Sequence, residues 1–192
     1  YDNSPDRTWK VAEDLAGQDK RIKVIRRIKQ RGLASAVVSG WAVAQGEILG
    51  VIDADLQHSP EVLAEMITRI ITNQEADIIV ASRYVRVGGF LNLSFGQIFR
   101  SRLANFLAGI LIPKVYKLVK DPLSGYFIMR KKVIANVELR PIGYKILLEV
   151  LVKCRYKDVI EVPYLFLKRE KGSSKASWKQ YLVSLIHFLK LR

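Results

Sequence analysis

One cysteine stands among 192 residues, Cys154, so no disulfide forms within the chain. It lies in a segment rich in Val, Leu and Ile and reads as a buried structural thiol, the usual state in a reducing compartment. No apolar run reaches the ~18 residues needed to span a bilayer. The longest candidate, residues 103–112, reads as a core helix. No stretch has the pattern of a secretory signal. Zinc-ligand spacing, a helix-turn-helix signature and ribonucleoprotein motifs are all lacking, as are internal repeats and low-complexity tracts. Acids are scarce: 18 Asp and Glu against 32 Lys and Arg leave a net charge of +14. The opening is also spare. Residues 1–6 resemble the loop that follows a strand, and no Met precedes them, so the expectation is a fragment whose first strand lies upstream.

What remains is an ordinary globular balance, 49% apolar and 26% charged, in a chain long enough for one domain with a sizeable core. The positive charge is unevenly placed. Residues 129–192 hold 15 Lys and Arg against 5 Asp and Glu, a net of +10. Such a surface suits an anionic membrane or a phosphorylated substrate. Without any nucleic-acid motif, nucleic acid is not the expected partner.

Hydrophobic spacing predicts alternating elements. Residues 8–16 place Trp9, Ala12, Leu15 and Ala16 at helical intervals, with Gly17 as a stop. Residues 21–28 alternate as a strand does. Gly32 opens a second helix that ends near Gly46, and residues 48–52 form an apolar strand. Ser59-Pro60-Glu61 is a helix start: a cap, a proline in the first turn and an acid at the positive dipole end. Residues 77–81 read as the next strand. The alternation predicts an α/β fold, a mostly parallel sheet flanked by helices. Beyond residue 84 the pattern loosens. Residues 85–96 read as a mobile glycine-containing loop, 101–112 as a helix stopped by Pro113, 123–129 and 159–167 as strands, and 145–154 as a helix. Residues 168–176 form a basic Gly/Ser loop. A last helix carries Trp178, Tyr181, Leu182, Leu185, Ile186 and Leu189 on one stripe. That stripe either packs on the core or lies on a membrane with its Lys and Arg toward headgroups.

The chemistry concentrates at the end of the strand over residues 48–52. Two carboxylates, Asp53 and Asp55, follow it one residue apart, and Gln57 continues the alternation. Folding does not call for two anions at the mouth of an apolar strand, and their repulsion asks for a cation. Oxygen donors of this kind suit Mg²⁺ or Mn²⁺, which keep positions open for water and substrate phosphates. The carboxyl end of a strand is where open α/β sheets bind ligands. The duller reading is a turn cluster leading into the Ser59 helix. Residues 2–6, Asp2-Asn3-Ser4-Pro5-Asp6, supply acceptors for nucleobase or ribose groups, or equally turn and cap contacts. His58 reads as a helix-entry histidine with a structural hydrogen bond rather than a base. Asp121 either orients an acceptor, acts as a weak base, or serves a turn.

Several of these segments together carry a resemblance. Asp2-Asn3-Ser4-Pro5-Asp6, Arg31-Gly32-Leu33 and Asp53-Ala54-Asp55-Leu56-Gln57-His58 are similar to family-2 glycosyltransferases. Ser82-Arg83-Tyr84, Asp121-Pro122-Leu123-Ser124-Gly125-Tyr126-Phe127 and the Arg169, Gly172, Ser174, Lys175 segment narrow it to the dolichyl- or polyprenyl-phosphate sugar transferases, with the mannosyltransferases as the type. The resemblance implies a GT-A, Rossmann-like fold and a metal-dependent, inverting transfer of a hexose, mannose or glucose. The implied donor is a GDP- or UDP-sugar and the acceptor a polyprenyl phosphate, at the cytoplasmic face of a membrane. Asp53, Asp55 and Gln57 would hold Mg²⁺ or Mn²⁺. Asp2, Ser4, Arg31, Gly32 and Ala54 would line the donor, while Arg83, Ser101, Arg169, Ser174 and Lys175 would hold phosphates. Asp53, Asp55 and Asp121 are the candidate catalytic residues. The expected layout is one domain over residues 1–192: a nucleotide-sugar and metal half (1–84), an acceptor half (85–176) and an amphipathic helix (177–192). Three departures stand out: the family's first strand is absent, Tyr1 stands where an Asp is usual, and Gln97 where many members have Arg. Two other readings keep less of this: a GT-A enzyme with a saccharide or protein acceptor, and a non-catalytic membrane-surface protein.

The physical problem is clear without the family. A lipid phosphate is anionic at neutral pH and needs no strong base, but it must approach an anionic donor. A cation on the acidic pair draws charge from the leaving diphosphate, and Arg83, Arg169 and Lys175 steady the attacking phosphate. Read alone, Arg169 and Lys175 are a solvated basic loop.

Overall fold

A computed structural model describes residues 7–28, 30–55, 57–167 and 178–191, and side chains for these except 178–182. The elements run α1 (Thr8–Gln18), α2 (Leu33–Val43), β1 (Ile48–Val51), α3 (Pro60–Thr72), β2 (Ala76–Ser82), β3 (Gly89–Phe90), α4 (Phe95–Leu111), α5 (Pro113–Leu118), β4 (Phe127–Arg130), a 3-10 turn (Lys131–Ile134), α6 (Ile146–Lys153), β5 (Asp158–Pro163), β6 (Leu165–Phe166) and α7 (Trp178–Leu191). Four strands form one sheet in the order β1-β4-β2-β5, and β3 pairs with β6 in a second, two-stranded one. β2 and β5 are parallel, whereas β4 runs against both β1 and β2. Three of the four strands therefore point the same way, and the sheet is mixed through β4 alone.

β2 is buried along its whole length, as a central strand covered on both faces must be. Its alternate residues feed two cores. Ile78 and Val80 join Leu49, Phe127 and Met129 beneath Trp41 of α2, Ala108 of α4 and the apolar face of α6. Ile79 and Ala81 join Ile128, Tyr126 and Val162 beneath Met66 and Ile70 of α3.

Most expected elements are present, with instructive differences. Residues 21–28 alternate but form no strand, because no described strand lies alongside to complete a ladder; instead Arg26 lies over the Trp9 ring at 3.5 Å and Arg27 turns inward. The loop expected over residues 85–96 contains β3 and the start of α4. Ser94 and Gln97 form a reciprocal capping box there, which sets the helix start six residues before the expected one. Pro113 ends α4 but also begins α5, its missing N–H costing nothing in a first turn. Ser59 precedes α3 as expected, but its hydroxyl donates to Glu61 rather than capping a backbone amide. α7 buries Ser184, His187, Phe188 and Leu191 and exposes Leu185, Ile186 and Leu189, so it packs on the core and still shows an apolar edge. No helix among the described residues is long and apolar enough to cross a membrane.

Candidate functional site

Strand direction decides where the chemistry collects. β1, β2 and β5 share a direction, so their carboxyl ends lie at one edge of the sheet, and the reversed β4 brings its amino end there too. The segments meeting at that edge are residues 53–58 after β1, 83–88 after β2, 120–126 before β4 and 164–167 after β5. Sequence-distant groups that no local pattern joins become neighbours in this way.

The acidic segment is pinned from below. The Asp53 backbone N–H donates to His58 Nδ1 at 3.2 Å, and the Gln57 N–H donates to Asp55 Oδ1 at 3.2 Å. Gln57 is buried; its side-chain amide donates to the Leu167 carbonyl at 2.6 Å, and Leu167 N–H returns a bond to the Gln57 carbonyl. That reciprocal clip ties the segment after β1 to the one after β5, and leaves the Gln57 amide oxygen as its remaining acceptor. His58 stacks on Tyr126 with centroids 4.8 Å apart and is edged by Tyr164 and Phe166. Burial in this aromatic wall pulls its pKa down to about 4, against the opposing pull of Asp55, so the ring is neutral and accepts the Asp53 N–H. It is the structural histidine the sequence suggested. Gly125 passes beneath: a Cβ there would lie 3.5 Å from Asp53 Oδ2.

Some 30 residues on, Arg83 and Asp121 form a buried pair. Arg83 Nε and Nη2 donate to the two Asp121 oxygens at 2.7 Å each, and the Arg83 backbone N–H adds a third bond at 3.0 Å. Asp121 is fully buried, and the guanidinium is 10% exposed. Burial works against the Arg83 charge, but the charge and hydrogen bonds of Asp121 outweigh it and hold the guanidinium above its usual range. The remaining side of Arg83 reaches Ser101 Oγ at 3.4 Å, and Tyr84 Oη lies 2.9 Å from the same hydroxyl. Tyr84, Phe90 and Phe166 ring the guanidinium at 5.5–5.7 Å. The loop beneath is held by Glu161, whose carboxylate accepts the Lys120 and Asp121 N–H groups, and by Ser124, whose hydroxyl donates to the Ala81 carbonyl.

A second cation lies beside this pair. Lys145, the residue before α6, donates to the Leu123 carbonyl at 2.8 Å and lies 4.7 Å from the Tyr144 ring. Burial and then the Arg83 charge pull its ammonium down to about 8, with Asp121 and Asp53 resisting.

The structure thus brings Asp53, Asp55, Gln57, Arg83, Ser101 and Asp121 to one sheet edge. Asp121 is engaged with Arg83 on both oxygens, a positioning arrangement rather than that of an open base. Ala54 is an exposed turn residue between the two acids. Arg31 is exposed, and Gly32 begins α2 at φ +125°, a conformation that strains any other residue. Buried Arg27 fixes that turn by donating to the Gly32 carbonyl at 2.8 Å and to Ser35 at 2.9 Å. Asp2, Ser4, Arg169, Ser174 and Lys175 lie outside the described residues. Sequence reading missed Lys145, Arg27 and the aromatic wall. Only Tyr126 carried a signal, through its place in the Asp121–Phe127 motif.

Among the described residues no three His, Cys, Asp or Glu side chains gather as a metal cage. The donor set at residues 53–57 is instead two carboxylates and an amide oxygen on a doubly pinned turn. Such hard, incomplete oxygen ligation fits a Mg²⁺ or Mn²⁺ ion that takes its other ligands from substrate phosphates and water.

Comparison with known proteins gives a consistent picture. The profile for glycosyl transferase family 2 matches residues 1–137. A dolichol-phosphate mannosyltransferase of Pyrococcus furiosus is 44% identical over 190 residues, 99% of this chain and 53% of the relative. The Saccharomyces cerevisiae protein of the same name is 34% identical, over 96% of this chain and 70% of its own length. A polyprenol monophosphomannose synthase of Mycolicibacterium smegmatis is 32% identical, over 92% and 68%. The chain therefore spans only about half of the Pyrococcus relative. Among solved structures, glucosyl-3-phosphoglycerate synthase from Mycobacterium tuberculosis with phosphoglyceric acid aligns with a TM-score of 0.66 at 15% identity, over 98% of this chain and 67% of that one. The same enzyme with Mn²⁺, UDP-glucose and phosphoglyceric acid aligns at 0.64, with 15% identity, over 92% and 64%. These likenesses establish the α/β GT-A fold.

Proposed function

This chain belongs to glycosyl transferase family 2, and from its site we propose that it transfers a hexose, mannose first among candidates, from a nucleoside diphosphate sugar to the phosphate of a polyprenyl lipid. The observation that carries the reading is the pairing, at one sheet edge, of an acidic turn with a buried arginine. The reaction brings two anions together, and each meets its own countercharge. A divalent ion held by Asp53, Asp55 and the Gln57 oxygen would take up charge developing on the leaving diphosphate. Arg83, fixed by Asp121, presents its free edge beside Ser101 to the attacking phosphate. No strong base is needed, which agrees with Asp121 being committed to Arg83. A single displacement inverts the anomeric carbon. The names of the 44% and 34% identical relatives support the same substrates.

In this reading residues 1–84 serve donor and metal, residues 85–176 the acceptor, and the final helix the lipid surface. α4 offers a further surface for the lipid. Phe95, Phe99, Leu103, Phe106 and Ile110 are all exposed and recur at i, i+4, i+8, i+11 and i+15, one narrow stripe. Arg100 and Arg102 of the same helix are exposed, as are Lys114 and Lys117 of α5, which follows it. An apolar stripe edged by cations fits the headgroup layer of an anionic bilayer, such as the cytoplasmic leaflet. The same helix carries Ser101 into the site, which brings a phosphate at the lipid surface within reach of Arg83.

The test is transfer from labelled GDP-mannose, and separately UDP-glucose, to polyprenyl phosphate in anionic vesicles with Mn²⁺. The proposal expects a metal-dependent, acid-labile glycolipid. Transfer to free saccharides with none to the lipid would contradict it.

A further inference from the structure

Lys145 belongs to neither the acidic turn nor the Arg83–Asp121 pair, yet its ammonium is anchored to the loop that holds Asp121. Its electrostatic neighbours are Arg83, Asp121 and Asp53, with Arg83 the strongest. His58, at the other end of the acidic turn, also feels its charge. Among the described residues the ammonium has one hydrogen-bond acceptor, the Leu123 carbonyl, and so keeps two N–H donors. A structural lysine is normally matched by a carboxylate. Here Asp121, the buried carboxylate nearby among the described residues, already receives three N–H bonds from Arg83. Arg83 and Lys145 together carry two positive charges against that one acid. Asp53 belongs to the cation-binding turn and does not offset them once a divalent ion is there. Two cations held together in a partly buried site, with donors unspent, leave a place for one more anion.

We propose that Lys145 is a second phosphate-binding residue, which with Arg83 grips the phosphate of the lipid acceptor. The assignment to the acceptor rests on the function proposed above, and the charge count at the anion site rests on the divalent ion proposed there. The acceptor is favoured over the donor diphosphate because the Leu123 carbonyl that orients the lysine is in the loop that holds Asp121, the partner of Arg83. α6 begins at the next residue, and its buried face fixes where the lysine stem emerges.

The test compares Lys145→Met and Lys145→Arg with the unmodified chain. Losing a charge-assisted hydrogen bond should raise the KM for polyprenyl phosphate about tenfold or more, with the KM for the nucleotide sugar unchanged within about twofold. Lys145→Arg should recover most of that loss. A donor KM that rises instead, or an acceptor KM that does not move, would overturn the assignment. A second arm needs no turnover: inorganic phosphate should raise the melting temperature of the unmodified chain and raise that of Lys145→Met less. Equal responses would refute the anion site. A phosphate response that depends on Lys145, in a chain that does not glycosylate the lipid, would keep the site and reject the proposed function. Folding is controlled by the ligand-free melting temperature, which should not fall in Lys145→Met, since the variant no longer buries a charge.

Discussion

Asp121→Asn keeps the shape of the side chain and removes its charge. In the native chain both carboxylate oxygens accept from Arg83, at 2.7, 2.7 and 3.0 Å. An amide has one oxygen, so one side of the fork must set an NH₂ against an N–H. The guanidinium is only 10% exposed and water cannot replace the lost partner. Breaking a buried pair from one side costs about 3–5 kcal/mol. At about 2–4 °C per kcal/mol for a domain of this size, the melting temperature should drop by about 6–20 °C. Urea unfolding should show a lower midpoint at an unchanged slope. Replacing both partners, Arg83→Met with Asp121→Leu, should recover most of the stability while abolishing lipid transfer, since neither member of the pair is then left without the other. An Asp121→Asn chain within about 1 kcal/mol of the unmodified one would refute this reasoning. So would a cost that is the same when Arg83 is already gone. A fully stable Asp121→Asn that lost turnover together with the acid limb of its pH–rate profile would make Asp121 a proton acceptor after all.

Three further outcomes follow from the same geometry. The His58 pKa lies at about 4 in the fold, below its ordinary 6.5, so the unfolded chain binds more protons between those values. The associated stability is therefore complete above about pH 6.5 and falls away toward pH 4, by about 3 kcal/mol, and His58→Phe should flatten that part of a stability-versus-pH curve. Gly88→Ala would place a Cβ 2.5 Å from the Ser82 carbonyl oxygen, a backbone atom, and should cost about 1–3 kcal/mol in urea unfolding; an unchanged midpoint would show that the turn after Arg83 is looser than described. Phe99→Asp with Phe106→Asp should leave melting unchanged, both side chains being exposed, and abolish sedimentation with anionic vesicles; retained binding would move the lipid contact away from α4.

Most helices, though not α5 or the first turns of α4, and the strands 48–52 and 77–81 were legible because their periodicity is local: apolar faces repeat at 3.6 or alternate at 2. Residues 21–28 show the limit. Alternation permits a strand, but pairing makes one, and pairing is a property of distant segments. The site divides along the same line. Asp53, Asp55 and Gln57 stand out in sequence because acids closing an apolar strand need a reason. Arg83 and Asp121 were legible as motif residues, yet nothing in their 38-residue separation says that one is spent on holding the other. Lys145 was invisible. A lysine before an apolar helix is commonplace, and its meaning comes from a reversed β4 that brings Leu123 beneath it. Arg27 was hidden in the same way, its role set by the carbonyl of a glycine five residues on.

The central claim is that the acid pair closing β1 grips a divalent cation together with a nucleoside diphosphate. Its most direct test is a Mn²⁺ titration in the presence of GDP or UDP, with free Mn²⁺ read by electron paramagnetic resonance, on the unmodified chain and on Asp53→Ala and Asp55→Ala. The account predicts tight, nucleotide-dependent Mn²⁺ uptake by the unmodified chain and its loss in both variants at little change in melting temperature. Undiminished uptake in both variants would contradict it.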